Sequence, residues 1–321
     1  MIGGLHSSVT DIQRLIAKAL RDRRVAGHEV LAGGLINTNL KIYFDGDFKP
    51  VVLRVYRDGA TACDKEVALH ALIHKHLPVA EIIYSGREDE CSFVVLEYVE
   101  GITFQQLKRT GDLTAIQQAA ASVGETLARI GRFQFPAPGE LLVDKSSREL
   151  RVGKRFIDGP DPIPRILDRF LASPVFEKRA GADLISRLHS FAWSHAATLP
   201  QLESACQLVH NDFGNRNILV REEKGMWRVA AVLDWELAIS GSPLLDVGHF
   251  LRYEHHWQPL REPHFSRAFV DHGGYLPDGW PEIVRLIDLT GLVECLTHED
   301  LPADVEAELF ALVNTTLTMA T

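Results

Sequence analysis

The sequence has few of the residues that build disulfide frameworks or zinc sites. Four cysteines occur in 321 residues, and Cys63, Cys91, Cys206 and Cys295 show neither pairing nor C-x-x-C spacing. We interpret them as reduced thiols of a cytoplasmic protein. Histidines are more numerous, but no cysteine or carboxylate pattern accompanies them, which favours packing and surface roles over a metal site.

The sequence does not indicate a protein that binds nucleic acid or a membrane. No basic patch with interleaved aromatic residues is visible, and the net charge is −9, so no nucleic-acid partner is expected. The first periodic segment, residues 8–23, places Ile12, Leu15 and Ile16 on one face and is otherwise charged. It predicts an amphipathic helix rather than a signal peptide or a membrane span, so no membrane partner is expected either.

The negative charge is concentrated at one end of the chain. Residues 241–321 carry 13 acidic residues against four arginines and no lysine, whereas residues 1–240 carry 30 charges of each sign. Such a region favours a cationic small-molecule ligand if it forms the wall of a binding pocket. Solvated helix faces explain the same composition equally well, because acidic residues also stabilise helix N-termini.

A polar motif stands out in LVHNDFGNRNILV, residues 208–220. It contains His210, Asp212 and Asn217 in the order H-x-D-x-x-x-x-N. The Asp212 carboxylate is suited to accept a hydrogen bond from an attacking hydroxyl group. Asn217 offers a neutral oxygen ligand to a metal ion. Short patterns of this kind also occur by chance, as ordinary polar turns.

The residues around this motif favour a functional site. Apolar residues lie on both sides of it, and after a polar break a second apolar run, residues 229–233, leads directly to Asp234. The order predicts a loop, a strand, a turn, a second strand and a carboxylate. Magnesium prefers a few hard oxygen ligands and keeps several waters, so Asn217 and Asp234 predict a shared magnesium site, and no zinc.

These residues resemble the aminoglycoside phosphotransferase and choline kinase superfamily, whose members are small-molecule kinases similar in fold to protein kinases. The resemblance extends beyond one motif, because DWE at 234–236 matches that family's D-W/F-E and GSPLLD at 241–246 matches its G-x-P-x-x-D. It implies that Asp212 is the catalytic base and that His210 and Asp246 brace the catalytic loop. Similarity to the choline kinase side implies that Glu236 supports a second metal ion.

Upstream of the motif, three predicted strands supply the other half of a nucleotide cleft, at residues 29–31, 40–44 and 51–56. Between the first two lies AGGLINTN, in which Gly33 and Gly34 allow the backbone to approach phosphate. We therefore predict a phosphate-binding turn. An ordinary hairpin connection is the alternative for the same residues.

Arg54, in VVLRVY, stands where kinases usually place the lysine that contacts the α- and β-phosphates. A guanidinium can bind phosphate bidentately, so we assign Arg54 to the nucleotide. In the next predicted helix, residues 61–76, Glu66 shares one face with Leu69, Leu72 and Ile73 and therefore points toward the core. A buried carboxylate needs a cation, and we predict an ion pair between Glu66 and Arg54. A solvated Glu66 at the edge of the face is the alternative.

Residues 92–101, SFVVLEYVEG, predict a strand that runs into a polar, glycine-terminated segment similar to the hinge between kinase lobes. The backbone at Glu97 and Val99 is then expected to bind the edge of adenine. Such a backbone site does not distinguish ATP from GTP. After the hinge the pattern becomes helical, with long helices predicted over 113–130 and 184–197.

Together these patterns predict an α+β fold with two lobes, similar to that of protein kinases. Residues 1–97 are expected to form a nucleotide-binding lobe with an antiparallel sheet and a helix, and residues 98–321 a mainly helical lobe with the acceptor pocket. The expected reaction is Mg²⁺-dependent transfer of the γ-phosphate of ATP or GTP to a hydroxyl group of a small molecule. A cationic acceptor such as an aminoglycoside-type antibiotic is favoured.

Two alternatives stay open. A metabolic kinase acting on choline, ethanolamine, homoserine or a sugar would share every motif. The replacement of lysine by Arg54 also leaves open a catalytically silent nucleotide-binding protein. A protein substrate is disfavoured, because no D-F-G, A-P-E or long activation segment follows Asp234.

Overall fold

The computed structural model describes residues 9–31, 37–56, 59–88, 91–144, 146–155, 162–199, 202, 204–252, 254 and 260–319. Gly33 and Gly34, the glycines of the predicted phosphate turn, lie outside the described residues. The chain divides into two compact units with interleaved segments. The first unit is Met1–Ala115, Leu141–Arg151 and Asn215–Leu237, and the second is Ile116–Glu140, Val152–Gly214 and Ala238–Thr321.

The helices and strands follow one another along the chain in this order: α1 (Val9–Ala19), β1 (Val25–Val30), β2 (Thr38–Phe44), β3 (Val51–Tyr56), α2 (Ala60–Ile73), β4 (Ile82–Glu88), β5 (Cys91–Glu97), β6 (Ile102–Thr103), α3 (Phe104–Thr110), α4 (Leu113–Ile130), β7 (Gly139–Val143), β8 (Leu150–Val152), α5 (Pro162–Leu171), α6 (Pro174–Ser194), β9 (Gln207–Val209), β10 (Ile218–Glu223), β11 (Met226–Val232), β12 (Ile239–Gly241), α7 (Leu244–Leu251), α8 (His264–Asp271), α9 (Trp280–Cys295) and α10 (Ala303–Met319). Short 3-10 turns lie at Ala196–Thr198 and Trp235–Leu237.

The first unit is built on an antiparallel sheet in the order β1-β2-β3-β5-β4. Side chains alternate between its faces. Leu40 of β2 and Leu53 of β3 lie on one face and pack in a buried core with Leu15 of α1. The opposite face of β3 therefore carries Arg54, and on that side Tyr56 packs with residues of α2.

A three-stranded sheet, in the order β11-β10-β6, completes the first unit. β10 and β11 form a hairpin in which Glu223 faces Met226. The two residues of its loop, Lys224 and Gly225, both have positive φ (53° and 82°), which matches the right-handed twist of the flanking strands. The hairpin returns the chain to the first unit because β10 also pairs with β6, through Leu219 and Thr103.

A single division after Glu97 does not reproduce these units. The hydrogen-bonded ladder between β10 and β6 holds Asn217 and Asp234 in the first unit, with Arg54. Asp212, in contrast, belongs to the second unit. The predicted metal ligands are therefore part of the sheet-bearing unit.

The second unit is mainly helical, with α9 packed against α5, α7 and α10. Helices α7 and α9 approach closely at Gly248, where an added Cβ would lie 2.9 Å from the Val284 carbonyl oxygen. A small sheet joins β7 to β12 through Glu140 and Ile239, and β12 to β9 through Ile239 and Val209. The predicted fold class, an antiparallel sheet with a helix followed by a helical region, is confirmed.

Several predicted bounds are accurate and others are wrong. β3 and α4 begin and end as predicted, whereas α2 ends at Ile73 and its Leu72 is 40% exposed. Of the face predicted for this helix, Leu69 and Ile73 are buried with Glu66, and Cys63 is buried as well. α6 begins at Pro174, well before residue 184, and Gly181 interrupts it with a φ of 73°. None of the helices among the described residues combines the length and apolar character needed to cross a membrane.

Candidate active site

The loop after β9 is held by a buried carboxylate. Asp246, in the first turn of α7, accepts hydrogen bonds from the backbone N–H of His210 (Oδ2, 2.7 Å) and of Asn211 (Oδ1, 2.8 Å). Asn211 adopts a φ of 65°, a left-handed conformation that asparagine tolerates better than most residues. Both oxygens of Asp246 are thus used on the backbone of this loop, and the predicted bracing partners are in contact.

His210 supports the loop from inside. Its ring is fully buried, and Nδ1 accepts a hydrogen bond of 3.2 Å from the backbone N–H of Asp212. Phe213 is also fully buried and packs edge-on against His210, with the ring centroids 5.9 Å apart. Its ring also packs against that of Phe250, with the centroids 6.3 Å apart. The sequence reasoning missed Phe213, although a single apolar residue inside a polar motif is a signal for such an anchor.

The side chain between these anchors is accessible. Asp212 is exposed, while its neighbours in the loop are buried or partly buried. A carboxylate on a rigid loop can accept a proton from a hydroxyl group that is presented to it. The arrangement therefore gives Asp212 the access that a base needs.

Burial governs the charge of the bracing carboxylate. Removal from water raises the pKa of Asp246 to about 7, although the hydrogen bonds from His210 and Asn211 lower it, and the charge of Asp212 adds to the increase. Asp246 is 0% exposed. Burial therefore favours the protonated form, while the two N–H groups stabilise the ionised one, so the charge of this carboxylate depends on its contact with the loop.

In the first unit, the β10–β11 hairpin brings Asn217 and Asp234 together. Ile218 faces Val232 in the ladder, and one step further the Leu233 N–H donates a bond of 2.8 Å to the Asn217 carbonyl oxygen. Asp234 follows directly with a φ of 69°. The amide and the carboxylate predicted to share a metal ion therefore stand at the same end of one hairpin.

Arg54 lies at the centre of a buried charge network. Its Nη1 is 3.4 Å from Glu66 Oε1, so the predicted ion pair is present. Its Nη2 donates a hydrogen bond to Asp234 and lies 3.8 Å from Glu236 Oε2. Burial alone would lower the pKa of Arg54, but the charges of Glu66 and Asp234 raise it above its usual range. The contacts with Asp234 and Glu236 were not predicted.

The carboxylates of this network outnumber its positively charged groups. Burial raises the pKa of Glu66, against the effects of Arg54 and of a 2.6 Å hydrogen bond from the Tyr56 hydroxyl. Burial also raises the pKa of Glu236, and the charge of Asp234 adds to the increase. Three carboxylates surround one guanidinium, which leaves an excess of negative charge that a divalent cation would compensate.

These residues fit a magnesium ion by their chemistry. Asn217, Asp234 and Glu236 offer only oxygen donors, the ligands that Mg²⁺ prefers. Within the part of the chain that the structure describes, no group of three or more histidine, cysteine, aspartate or glutamate side chains could hold a metal by itself. A site with few protein ligands suits an ion that keeps waters and shares phosphate oxygens.

The predicted hinge residues lie at the end of β5. The Glu97 N–H donates a bond of 2.9 Å to the Glu81 carbonyl oxygen, so this N–H is already used. Val99 is two residues beyond the strand. A backbone hydrogen bond between Glu97 and the edge of adenine would therefore use the Glu97 carbonyl group.

Many acidic residues of the second unit are compensated by arginine. Arg252 binds Asp288 through Nε and Nη2, at 2.9 and 2.6 Å. Similar pairs join Arg179 to Glu306, Arg261 to Glu254 and Arg285 to Glu282. Arg252, Arg261 and Arg285 already count in the charge balance of residues 241–321, so of these pairs only that with Arg179 further reduces the net negative charge of the region.

The chain is similar to known proteins in sequence and in fold. The model of the phosphotransferase enzyme family matches residues 28–283. The aminoglycoside phosphotransferase APH(4)-Ia is similar over 98% of this chain and 100% of its own, with a TM-score of 0.69 and 18% identity. The GDP and kanamycin complex of APH(2″)-IIIa is similar over 97% of this chain and 99% of its own, with a TM-score of 0.70 and 18% identity. At this identity the solved structures show the fold.

Curated sequences of mammals are also similar. Acyl-CoA dehydrogenase family member 11 of Mus musculus is 29% identical over 233 residues, 70% of this chain and 27% of its own length. The protein of the same name from Pongo abelii is 34% identical over 266 residues, 78% of this chain and 31% of its own. This chain thus spans less than a third of the length of these relatives.

Proposed function

Since its model matches residues 28–283, the chain belongs to the phosphotransferase enzyme family, and we propose that it transfers the γ-phosphate of ATP or GTP to a hydroxyl group of a small molecule. The observation that carries this proposal is the braced loop of the second unit. Asp246 fixes the backbone of His210 and Asn211, and Asp212 remains exposed beside them. A fixed, accessible carboxylate is what orientation and deprotonation of an attacking hydroxyl require.

The first unit would hold the nucleotide. Arg54 offers a guanidinium to phosphate oxygens, and Glu66 keeps it in place from the side of α2. Asn217 and Asp234 would hold Mg²⁺, with Glu236 available to a second ion. A bound magnesium ion would stabilise the charge that develops on the phosphate oxygens.

The acceptor is proposed to be cationic, with aminoglycoside-type antibiotics as the first class to test. Two observations support this class: the acidic residues of the second unit, and the similarity in fold to a protein solved with hygromycin B and to one solved with kanamycin. Arg179, which lies outside residues 241–321, pairs with Glu306 and weakens the electrostatic part of the argument. The choice of acceptors in the assay must therefore extend beyond cations.

A metabolic acceptor is the second candidate, and the curated relatives favour it. Their name places them in the acyl-CoA dehydrogenase family, and this chain corresponds to about 30% of their length. A hydroxylated acyl-CoA thioester belongs in the panel for that reason, together with choline, ethanolamine, homoserine and sugars. Antibiotic modification and metabolism differ in the acceptor, while the proposed chemistry at Asp212 is the same.

A coupled assay for ADP or GDP release tests the proposal. Purified protein is supplied with Mg²⁺, ATP or GTP and each acceptor of the panel, and Asp212→Ala serves as the matched control. Acceptor-dependent release that is lost in the variant is expected, and the acceptor with the highest kcat/KM identifies the substrate class. Nucleotide binding without turnover on any acceptor would favour a catalytically silent protein and contradict the proposal.

A further inference from the structure

We propose that Asn37 is a positioning residue that fixes the Glu236 carboxylate for a divalent cation. The proposal rests on the proposed phosphotransferase function. Asn37 immediately precedes β2 and is 5% exposed. Its Nδ2 donates a hydrogen bond of 2.6 Å to Glu236 Oε2, across 199 residues of sequence.

This bond joins two segments of the first unit that each have their own support. On one side, Thr38 begins β2 and faces Val55 in the sheet. On the other side, Glu236 lies in the 3-10 turn after β11, where the indole N–H of the buried Trp235 donates a bond of 3.0 Å to the Val232 carbonyl oxygen. The amide therefore connects two segments that each have their own hydrogen bonds, and together with Arg54 it holds the carboxylate between them.

Asn37 and Arg54 contact the same oxygen of Glu236. Among the described residues, the hydrogen bond from Asn37 and the ion pair with Arg54 Nη2 at 3.8 Å both end on Oε2. Neither of these two contacts uses the other oxygen, Oε1. A carboxylate held through one oxygen can offer the second one to a metal ion.

A neutral donor suits this position better than a cation would. Arg54 already lies among Glu66, Asp234 and Glu236, and these three carboxylates exceed its single charge. A lysine or arginine in place of Asn37 would cancel more of the negative charge that attracts a divalent ion. The amide fixes Glu236 and leaves that charge in place.

Hydrogen exchange of the nucleotide-free protein tests the positioning role directly. Asn37→Ala and Glu236→Ala should each speed amide exchange in residues 37–40 by about ten- to hundredfold, the effect of losing one charge-assisted hydrogen bond. The double variant should add nothing to either single variant, because both remove the same bond. Asn314→Ala, which removes a side-chain bond to the Phe310 carbonyl oxygen in α10, should leave residues 37–40 unchanged.

Binding of the magnesium complex of ATP or GTP tests the consequence for the cation. Asn37→Ala should raise the half-saturating Mg²⁺ concentration for nucleotide binding several-fold, and Asn37→Ser, which keeps a donor, should recover part of the loss. Glu236→Gln retains an oxygen that accepts from Asn37 but loses the charge that strengthens the bond, so its exchange should lie between that of the wild type and that of Glu236→Ala, while magnesium affinity is lost. Thermal unfolding of each variant shows that it is folded.

The outcomes separate this inference from the proposed function. Unchanged exchange in Asn37→Ala, or effects of the two single variants that multiply in the double variant, would overturn the link between Asn37 and Glu236. Faster amide exchange in Asn37→Ala with an unaltered magnesium dependence of nucleotide binding would show that Asn37 serves only the fold, and would overturn the positioning role. If the wild-type protein bound no magnesium nucleotide, the proposed function and the cation would both be contradicted, and exchange would still decide whether Asn37 holds Glu236.

Discussion

Arg54 donates a hydrogen bond through Nη2 to Asp234, a residue 180 positions further along the chain. The other terminal nitrogen, Nη1, contacts Glu66 of α2 at 3.4 Å. One guanidinium thus connects a strand, a helix and the carboxylate proposed to bind metal. The ammonium of a lysine is a single point charge and cannot present two separate nitrogens to two carboxylates. The replacement of the usual lysine therefore has a structural reason.

Arg54→Ala should both destabilise the protein and weaken nucleotide binding. The change leaves Glu66 buried without its cation, and breaking a buried ion pair in this way costs about 3–5 kcal/mol. The loss of a charge-assisted contact of about 1.5–3 kcal/mol should raise the nucleotide KM by one to two orders of magnitude. Urea unfolding and steady-state kinetics measure the two effects.

Two controls accompany this prediction. Arg54→Lys retains the charge and should be less damaging than Arg54→Ala in both measurements. Arg24→Ala removes an arginine that is 86% exposed and pairs at 3.6 Å with an exposed Asp45, so stability should change by less than about 1 kcal/mol. An unaltered nucleotide KM in Arg54→Ala would show that this arginine serves only the fold.

Asp212→Ala should abolish transfer and leave nucleotide binding nearly intact. The side chain is exposed, and the loop is held by backbone bonds to Asp246 and by the buried Phe213, none of which the change removes. Folding should therefore be preserved, and the effect should fall on kcat rather than on nucleotide affinity. Wild-type turnover in this variant would exclude Asp212 as the base.

Asp234→Ala should remove the magnesium dependence of nucleotide binding. The change takes away one carboxylate from the end of the β10–β11 hairpin, while the backbone bond between Leu233 and Asn217 remains. Titration of nucleotide at several Mg²⁺ concentrations measures the effect, and circular dichroism checks the fold. A variant with the wild-type magnesium dependence would contradict the assignment of Asp234 as a ligand.

The sequence predicted which residues form the site better than it predicted the contacts between them. The order of strands around Asn217 and Asp234 followed from alternating apolar runs, and the pairing of Arg54 with Glu66 followed from helical spacing. The contact between Arg54 and Asp234 joins positions that local patterns do not relate. The same holds for Asn37 and Glu236, because only tertiary structure brings them together.

Secondary structure shows the same division between local and tertiary causes. β3 and α4 carry strong periodic patterns and have the predicted bounds. β4, in contrast, was not predicted, because IIYSGRE contains few apolar residues and its position is fixed by pairing with β5. α6 consists of two helical segments that meet at Gly181, whose φ of 73° and ψ of 163° are not helical, and the prediction over 184–197 found only the second segment.

Asp246→Asn should reduce the pH dependence of stability. Burial raises the pKa of this carboxyl to about 7 in the folded protein, against about 4 when unfolded. Folding therefore takes up a proton between these values, so the contribution of this group is fully present below about pH 4 and is lost as the pH rises through about 7. The unfolding free energy of the wild type should fall across this interval by more than that of the variant.

Urea unfolding between pH 4.5 and 7.5 measures this difference. The variant should be less stable overall, because an amide offers one acceptor oxygen to the N–H groups of His210 and Asn211 where a carboxylate offers two. Burial also raises the pKa of Glu66 and of Asp288, so some pH dependence should remain in the variant. Parallel curves for the two proteins would show that Asp246 is ionised throughout.

Gly124→Ala tests the close packing of α4 against α8 in the second unit. A Cβ added at Gly124 would lie 2.2 Å from the Phe265 carbonyl oxygen and 2.9 Å from the Phe269 backbone nitrogen, so the backbone of α8 would have to shift. Overpacking of this kind costs about 2–3 kcal/mol, more than the helix propensity that alanine gains. The expected result is a clear loss of stability in urea unfolding.

Gly291→Ala is the matched control in a helix of the same unit. Its added Cβ would meet Arg252 Nη2 at 3.7 Å and His249 Nε2 at 3.8 Å, which are ordinary van der Waals distances. Without a clash, alanine should stabilise α9 by roughly 0.5–1 kcal/mol. Opposite signs for the two substitutions would establish that Gly124 is required by the contact between α4 and α8. Equal stabilisation by the two substitutions would mean that α4 and α8 can move apart at no cost.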